Sequence, residues 1–500
     1  MTLLPVVLAS APFILFFILL LWKKTPLIWV SFITLVLVTV LAAFYWQVYP
    51  TYIFGSVFKG FFVALDILFI IFGAIFFLEI MRETKIIENI SYHLESISKD
   101  LRVQVIFLAW FFENFLEGTA GFGTPSTVVA PLLVGLGIPP INSVIIALLG
   151  NSASVVFGAA GTPIKVGFGA LAGQSVPFYA AIINSVGVLV PVFMLWFLTK
   201  DKVNRKKEFI EMLPFAIWAG IAFAVPSILT VFIGQEFPSI LGAVAGLVLV
   251  LATTRLGIFI PKTEKELVDI PRPAKMALGK VLFPYLLLIV FLIVGKFAIG
   301  NSGIQIPIMI KHTFAYFNPG FAFIIAGILT ILIFKKDFNF LGSSAKLALK
   351  RSFEPFLVIV FMSGIAQLMV NSVHNFSTLP SMIDFLAVNV KNILLPLWTP
   401  VISAFGSFLT GSATVSNLMF GNFLAATAKD LGFNVDKILA LAVAGAAAGN
   451  MIALADIIAA EAVTGIKNEE RKVLKGVIIP CLIYVVLIGV FGLLFLRLTV

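Results

Sequence analysis

The chain has 500 residues, of which 60% are hydrophobic and 12% charged, with a mean hydropathy of +1.11. That composition excludes the soluble enzyme and binding-module classes and points to a polytopic helical membrane protein. The net charge of +10 fits lysine and arginine in cytoplasmic loops rather than a nucleic-acid partner, and the single cysteine, Cys481, excludes an internal disulfide framework.

Apolar runs of spanning length fall near 3–22, 26–46, 61–81, 141–173, 177–199, 209–230, 237–254, 276–297, 313–334, 352–372, 438–465 and 476–496. The first lacks a basic n-region and a cleavage site, so it reads as a spanning helix rather than a removed signal. Two further apolar regions, 103–137 and 391–425, are interrupted by glycine-and-hydroxyl motifs and read as re-entrant helical hairpins. The expected fold is all-α, with about twelve transmembrane helices plus two hairpins. Residues 1–254 form a first half, 255–275 a cytoplasmic linker and 276–500 a second half. Segments 84–102 and 372–390 are more polar than their neighbours. In the first, Ile86, Ile87, Ile90, Leu94 and Ile97 recur at helical spacing, so both read as amphipathic helices in the interface.

Loops at Lys23-Lys24, 82–102, 200–207, 255–275, 335–351 and 467–475 carry 25 of the 34 lysines and arginines, which places them in the cytoplasm. Both termini are then expected outside a multi-pass plasma-membrane protein. Gly118 and Gly406, Gly123 and Gly411, and Gly161 and Gly449 are each 288 positions apart. The same shift pairs spans 26–46 with 313–334, 61–81 with 352–372 and 177–199 with 476–496, and the charge rule gives each pair opposite directions. This is the pattern of an inverted-topology repeat whose discontinuous helices point at a midplane site.

Four motifs converge in that reading. Glu117 to Thr127 forms the first hairpin tip, and Gly158 to Lys165 breaks the helix 141–173. Gly406 to Asn417 forms the second tip, and Gly445 to Met451 breaks the helix 438–465. Broken helices free N–H groups at half-helix N-termini, which favour anions. The expected substrate-binding set is Gly121, Gly123, Thr124, Ser126, Gly161, Thr162, Lys165, Thr410, Gly411, Ser412, Thr414, Ser416, Asn417, Gly449 and Asn450. Such a site suits a small organic anion and needs no cofactor. The competing reading, small residues allowing close helix packing, serves any single Ser or Thr as well, but not the Gly-Thr-Pro breaks.

A charge inside an apolar span costs about 2.5–3.5 kcal/mol at the bilayer centre. Glu117, at a tip, is the expected proton-carrying carboxyl, with Asp456 as a second. Lys165 either pairs with Asp456 or attracts the substrate. Asp66, Glu113 and Glu461 read as structural partners to other helices; His312 and His374 are poor candidates for coupling. No cluster has metal-ligand spacing. The counterpart of Glu117 under the repeat is Phe405, so the tips match in backbone and differ in charge.

Phe115 to Pro125 followed by Ala130-Pro131-Leu132-Leu133, Phe157 to Ile164, and Thr410-Gly411-Ser412 leading to Asn417 and Phe420-Gly421-Asn422 resemble the L-lactate permease family over most of the chain. The resemblance implies a secondary transporter for L-lactate, glycolate or D-lactate, driven by proton symport. It also implies kinship with a larger ion-transporter superfamily of homodimers, in which a scaffold holds a moving body with two hairpins. Alternatives are a sodium-coupled carboxylate carrier or a cation/proton antiporter, because carbonyls and hydroxyls at helix breaks also suit Na⁺. An intramembrane enzyme has no supporting motif: there is no His-Glu-x-x-His and no cysteine-based site.

Overall fold

The computed structural model describes residues 3–22, 25–95, 98, 100–121, 123–200, 202–259, 276–299, 303–306, 312–389 and 393–497. Most of the expected linker, 260–275, and Lys23-Lys24 lie outside them. Among the described residues nine helices are long and apolar enough to cross a membrane, and the bent pair Pro140–Gly150 and Ser154–Lys165 makes a tenth. The first expected span is the 20-residue helix Leu3–Trp22, and one of the twelve, Pro319–Ile333, is a shorter apolar helix. The expected span 313–334 starts late because His312–Ala315 pairs antiparallel with Gly303–Ile306. The helix begins where the Asn318 side chain accepts from Gly320 N–H and Pro319 takes the first position.

The helices pack as two groups. One centres on Pro50–Glu83 and Phe338–Asn371, each 34 residues long, with Leu27–Val40 and Pro319–Ile333 against them. At 1.5 Å per residue each of the long helices measures about 51 Å, so each outruns a hydrocarbon core of about 30 Å. Their backbones cross closely: a side chain at Gly60 would strike the backbone of Gly364. Glu79, on the first, pairs with its neighbour Arg82 at 3.2 Å and with Arg351 on the second.

The other group holds the interrupted segments. Leu101–Ile106 runs through a π-helical stretch, Phe107–Phe112, into Glu113–Thr119, and the chain returns as Thr124–Gly135. Twelve residues cover about 18 Å, too little for a crossing. The second hairpin is Leu395–Thr410 and Ala413–Asp430, packed against Val435–Asn450 and Glu470–Arg497. Of the two amphipathic segments, Ile86–Glu95 and Met382–Asn389 are helical. Large apolar side chains face outward, such as Phe44, Phe54 and Phe297. Such exposure is costly in water and natural against lipid.

Candidate functional site

The first tip turns on two left-handed glycines, Gly121 (φ +59°) and Gly123 (φ +71°), a conformation that costs other L-residues roughly 1–2 kcal/mol. Thr124 Oγ1 donates to Gly121 O at 2.7 Å and closes the turn. Gly123 also admits a partner, because a Cβ there would land on Asp456 Oδ1. The second tip has the same device: Gly411 is left-handed (φ +67°) and the Ser412 side chain caps the return helix by accepting from Val415 N–H.

The first break is the more strained. After a 3₁₀ turn, Ser154–Phe157, three successive residues are left-handed: Ala159 (φ +41°), Ala160 (φ +54°) and Gly161 (φ +80°). Two of the three carry a Cβ, so surrounding contacts must hold them. Thr162 Oγ1 donates to Ala159 O at 2.6 Å, and Asn417 Nδ2 of the second hairpin donates to Pro163 O at 2.9 Å. Just before this break, Pro140–Gly150 and Ser154–Lys165 are bent by 52° to one another. The second break is milder and falls after most of the expected motif: Gly445 to Asn450 stay helical, and Val435–Asn450 and Leu454–Thr464 are separated by three residues and still read as one span.

These four elements meet. One small cavity is bordered by Glu117, by Gly121 and Gly123 of the first tip, and by Gly158, Thr162 and Pro163 of the first break. The second tip borders it with Gly411 to Thr414, and the second break with Asn450. It leaves about 20 Å³ for the centres of water-sized molecules, room for roughly one water. Ala413 and Thr414, whose N–H groups at the start of the second return helix have no intrahelical acceptor, belong to this lining, whereas at the start of the first return helix Thr124 N–H donates to Gly121 O and Pro125 has no N–H. Gly411 and Ser412 also border a vestibule of about 1100 Å³, which reaches past Asp456 to Lys350, Arg351, Glu354 and Glu470.

Several expected ligands hold the site together without lining it. Thr124 closes the tip. Thr410 Oγ1 donates to Gly406 O (2.8 Å), and Ser416 Oγ donates to Ser403 O (2.8 Å), clasping the arms of the second hairpin. Asn417 ties that hairpin to the first break. Gly449 packs on Ala404 and Gly161 on Gln235. Ser126 lies beside Glu113. Asp456 accepts from Asn450 Nδ2 at 3.0 Å.

The ion pair considered between Lys165 and Asp456 is not formed. Lys165 Nζ stands 3.6 Å from Glu236 Oε1, and the other carboxylate oxygen of Glu236 holds Lys296. Sequence reasoning missed both partners, although Lys296 is a single cation in an apolar run and such a charge requires a partner. Glu236→Gln leaves two half-buried lysines without a counter-charge. We expect it to lower stability by about 1–3 kcal/mol, less than for a fully buried pair, read as a lower melting temperature of the purified protein.

Glu117 is 4% exposed and Glu113 is fully buried one helical turn away. Both Glu113 oxygens and Glu117 Oε2 lack a hydrogen-bond partner, and neither residue joins an ion pair among the described residues. The helix partner expected for Glu113 is therefore absent. A bare charge on either would have no counter-charge among the described residues. Asn151, another residue the sequence did not single out, lies beside Glu117. Glu461 does have a structural contact, accepting from Glu469 N–H at 3.4 Å. His374 stacks on Tyr52 with ring centroids 3.9 Å apart.

The family model for L-lactate permease matches residues 5–314 and 293–499. The chain belongs to the L-lactate permease family. It is 31% identical over 474 residues to a putative L-lactate permease of Haemophilus influenzae, covering 85% of this chain and 86% of that one. It is 27% identical over 529 residues to the glycolate permease GlcA of Escherichia coli, covering 92% and 90%. A crystal structure of the YdaH transporter of Alcanivorax borkumensis aligns with a TM-score of 0.46 at 13% identity, over 86% and 85% of the two chains. As a member of a permease family, the protein is a membrane transporter rather than an enzyme. A permease must bind and release its cargo unchanged, and a cavity of backbone, hydroxyls and a carboxyl is chemistry of that kind.

Proposed function

We propose that this permease takes up L-lactate or a related 2-hydroxymonocarboxylate, glycolate or D-lactate, by proton symport. The observation that carries the reading is the convergence of both hairpin tips and the first helix break on the cavity beside Glu117, in a member of the L-lactate permease family. The N–H groups of Ala413 and Thr414, at the N-terminus of the second return helix, receive the carboxylate. The hydroxyls of Ser412 and Thr414 and the Asn450 amide suit the 2-hydroxyl. Glu117 and Asp456 carry the proton. Lys165, held by Glu236, draws the anion toward the site.

A cavity with room for one water does not admit a three-carbon acid, so the tips separate to bind it. With the basic loops in the cytoplasm and both termini outside, the vestibule is the inward path to the second tip. The inverted repeat supplies the opposite path through the first, and a homodimer supplies the scaffold against which the hairpin body moves.

Uptake of labelled lactate into proteoliposomes tests this directly. We expect accumulation under an inward proton gradient that is unchanged when choline replaces sodium. Accumulation that needs sodium and ignores the proton gradient would overturn proton symport in favour of a sodium-coupled carrier.

A further inference from the structure

A third cavity, of about 700 Å³, lies away from the transport site. Four elements wall it, among them the helix Ile86–Glu95 with Ile90 and with His93, whose Nε2 lies 2.7 Å from Met276 O. Pro238–Arg255 contributes Val244, Leu247, Val248 and Leu251, and Leu278–Ile299 contributes Leu282, Leu286 and Ile289. The hairpin arm contributes Phe111, Phe112 and Phe115. Its size is that of a ligand site, and its walls are almost wholly apolar. Its polar groups are few. Tyr285 is 3% exposed, wedged against Phe115 and Phe77 with ring centroids 4.8 and 5.5 Å apart. Tyr285 borders the cavity, and its buried hydroxyl has no hydrogen-bond partner. Burying a hydroxyl without a partner is unfavourable, so a donor in that position calls for an acceptor. At the helix end stand Thr254 and Arg255, and Arg255 is exposed with no ion pair or hydrogen bond among the described residues.

We propose that this cavity is a binding site for a two-chain glycerophospholipid with an anionic headgroup. Its acyl chains lie along the leucine and valine faces of the two helices. An ester carbonyl accepts from Tyr285, about two turns inside the start of its helix, and the phosphate meets Arg255. Water is a poor occupant, since a cavity of this volume would need many polar partners to fill. The lipid would touch Phe112 and Phe115, which flank Glu113 in the arm that ends at Glu117. It would therefore sit against the element that we expect to move during transport.

The test uses the full-length protein in detergent, titrated with phosphatidylglycerol or phosphatidylcholine of identical chains and read by native mass spectrometry and by melting temperature. We expect phosphatidylglycerol to be retained in preference and to raise the melting temperature more. Arg255→Gln should weaken that preference about tenfold, the worth of one charge-assisted hydrogen bond. Tyr285→Phe should weaken retention of both lipids. Val248→Trp, an exposed wall position, should fill the cavity and displace both, which keeps the test decisive if one polar variant fails to fold. Equal retention of the two lipids by the parent, or an unchanged preference in Arg255→Gln, overturns the proposal. So does a lipid-free dimer that shields a maleimide-reactive Val248→Cys, which would put a second copy of the chain there instead.

Discussion

Glu117→Gln is expected to exchange lactate but not to accumulate it. Glutamine matches the size of the protonated acid and keeps a hydrogen-bonding end at the cavity, so substrate can still bind. It cannot release a proton. It also leaves no charge stranded in an apolar core, which is what makes other changes at buried acids unfold proteins. A one-unit pH gradient is worth about 1.4 kcal/mol, so one-to-one symport concentrates lactate about tenfold. The variant should bring lactate only to equality across the membrane, while trading labelled for unlabelled lactate at a rate near that of the parent. Proteoliposomes assayed by gradient-driven uptake and by counterflow separate the two properties. Accumulation that survives the substitution removes Glu117 from the proton path.

The second large effect is steric. A methyl at position 158 would run into Glu117 Oε1, and one at position 123 into Asp456 Oδ1. Gly158 has ordinary backbone angles (φ −61°, ψ 152°), so Gly158→Ala tests crowding of the carboxyl alone. Gly123 is left-handed, so Gly123→Ala adds about 1–2 kcal/mol of backbone strain to an overpacking cost of about 1–3 kcal/mol. We expect both to cut counterflow at least tenfold, on the view that overpacking displaces the groups lining the cavity, with only Gly123→Ala also lowering the melting temperature clearly. Gly135→Ala is the control. It ends the same return helix, has nothing within 4 Å of a built Cβ, and should transport normally. If Gly158→Ala transports like the parent, Glu117 does not need its approach to the break.

Much of the site was legible from local chemistry. The Gly-x-Gly-Thr-Pro run had to interrupt a helix, and the structure turns there on left-handed Gly121 and Gly123. The pairing of Gly123 with Gly411 at a spacing of 288 marked two tips, and both are left-handed turns bordering one cavity. The hydroxyls were less legible. Ser412 and Thr414 border the cavity, whereas Thr162, Ser416 and Thr410 spend theirs on nearby backbone carbonyls. Composition cannot separate these uses, because a serine in a broken helix satisfies its donor with whichever acceptor is nearest.

The sequence by itself determined the membrane class, most of the spans and three of the four places where helices break, the glycines Gly445 and Gly449 being accommodated within a helix. Hydropathy and backbone restriction act over a few neighbouring residues, so a linear reading captures them. Only the tertiary structure decided that Lys165 faces Glu236 rather than Asp456, that Lys296 completes that pair, and that Glu113 and Glu117 stand buried without a counter-charge. Ion pairs and cavities are set by approach through space between residues distant along the chain. Hydropathy reports the environment a residue needs, and only packing supplies the partner.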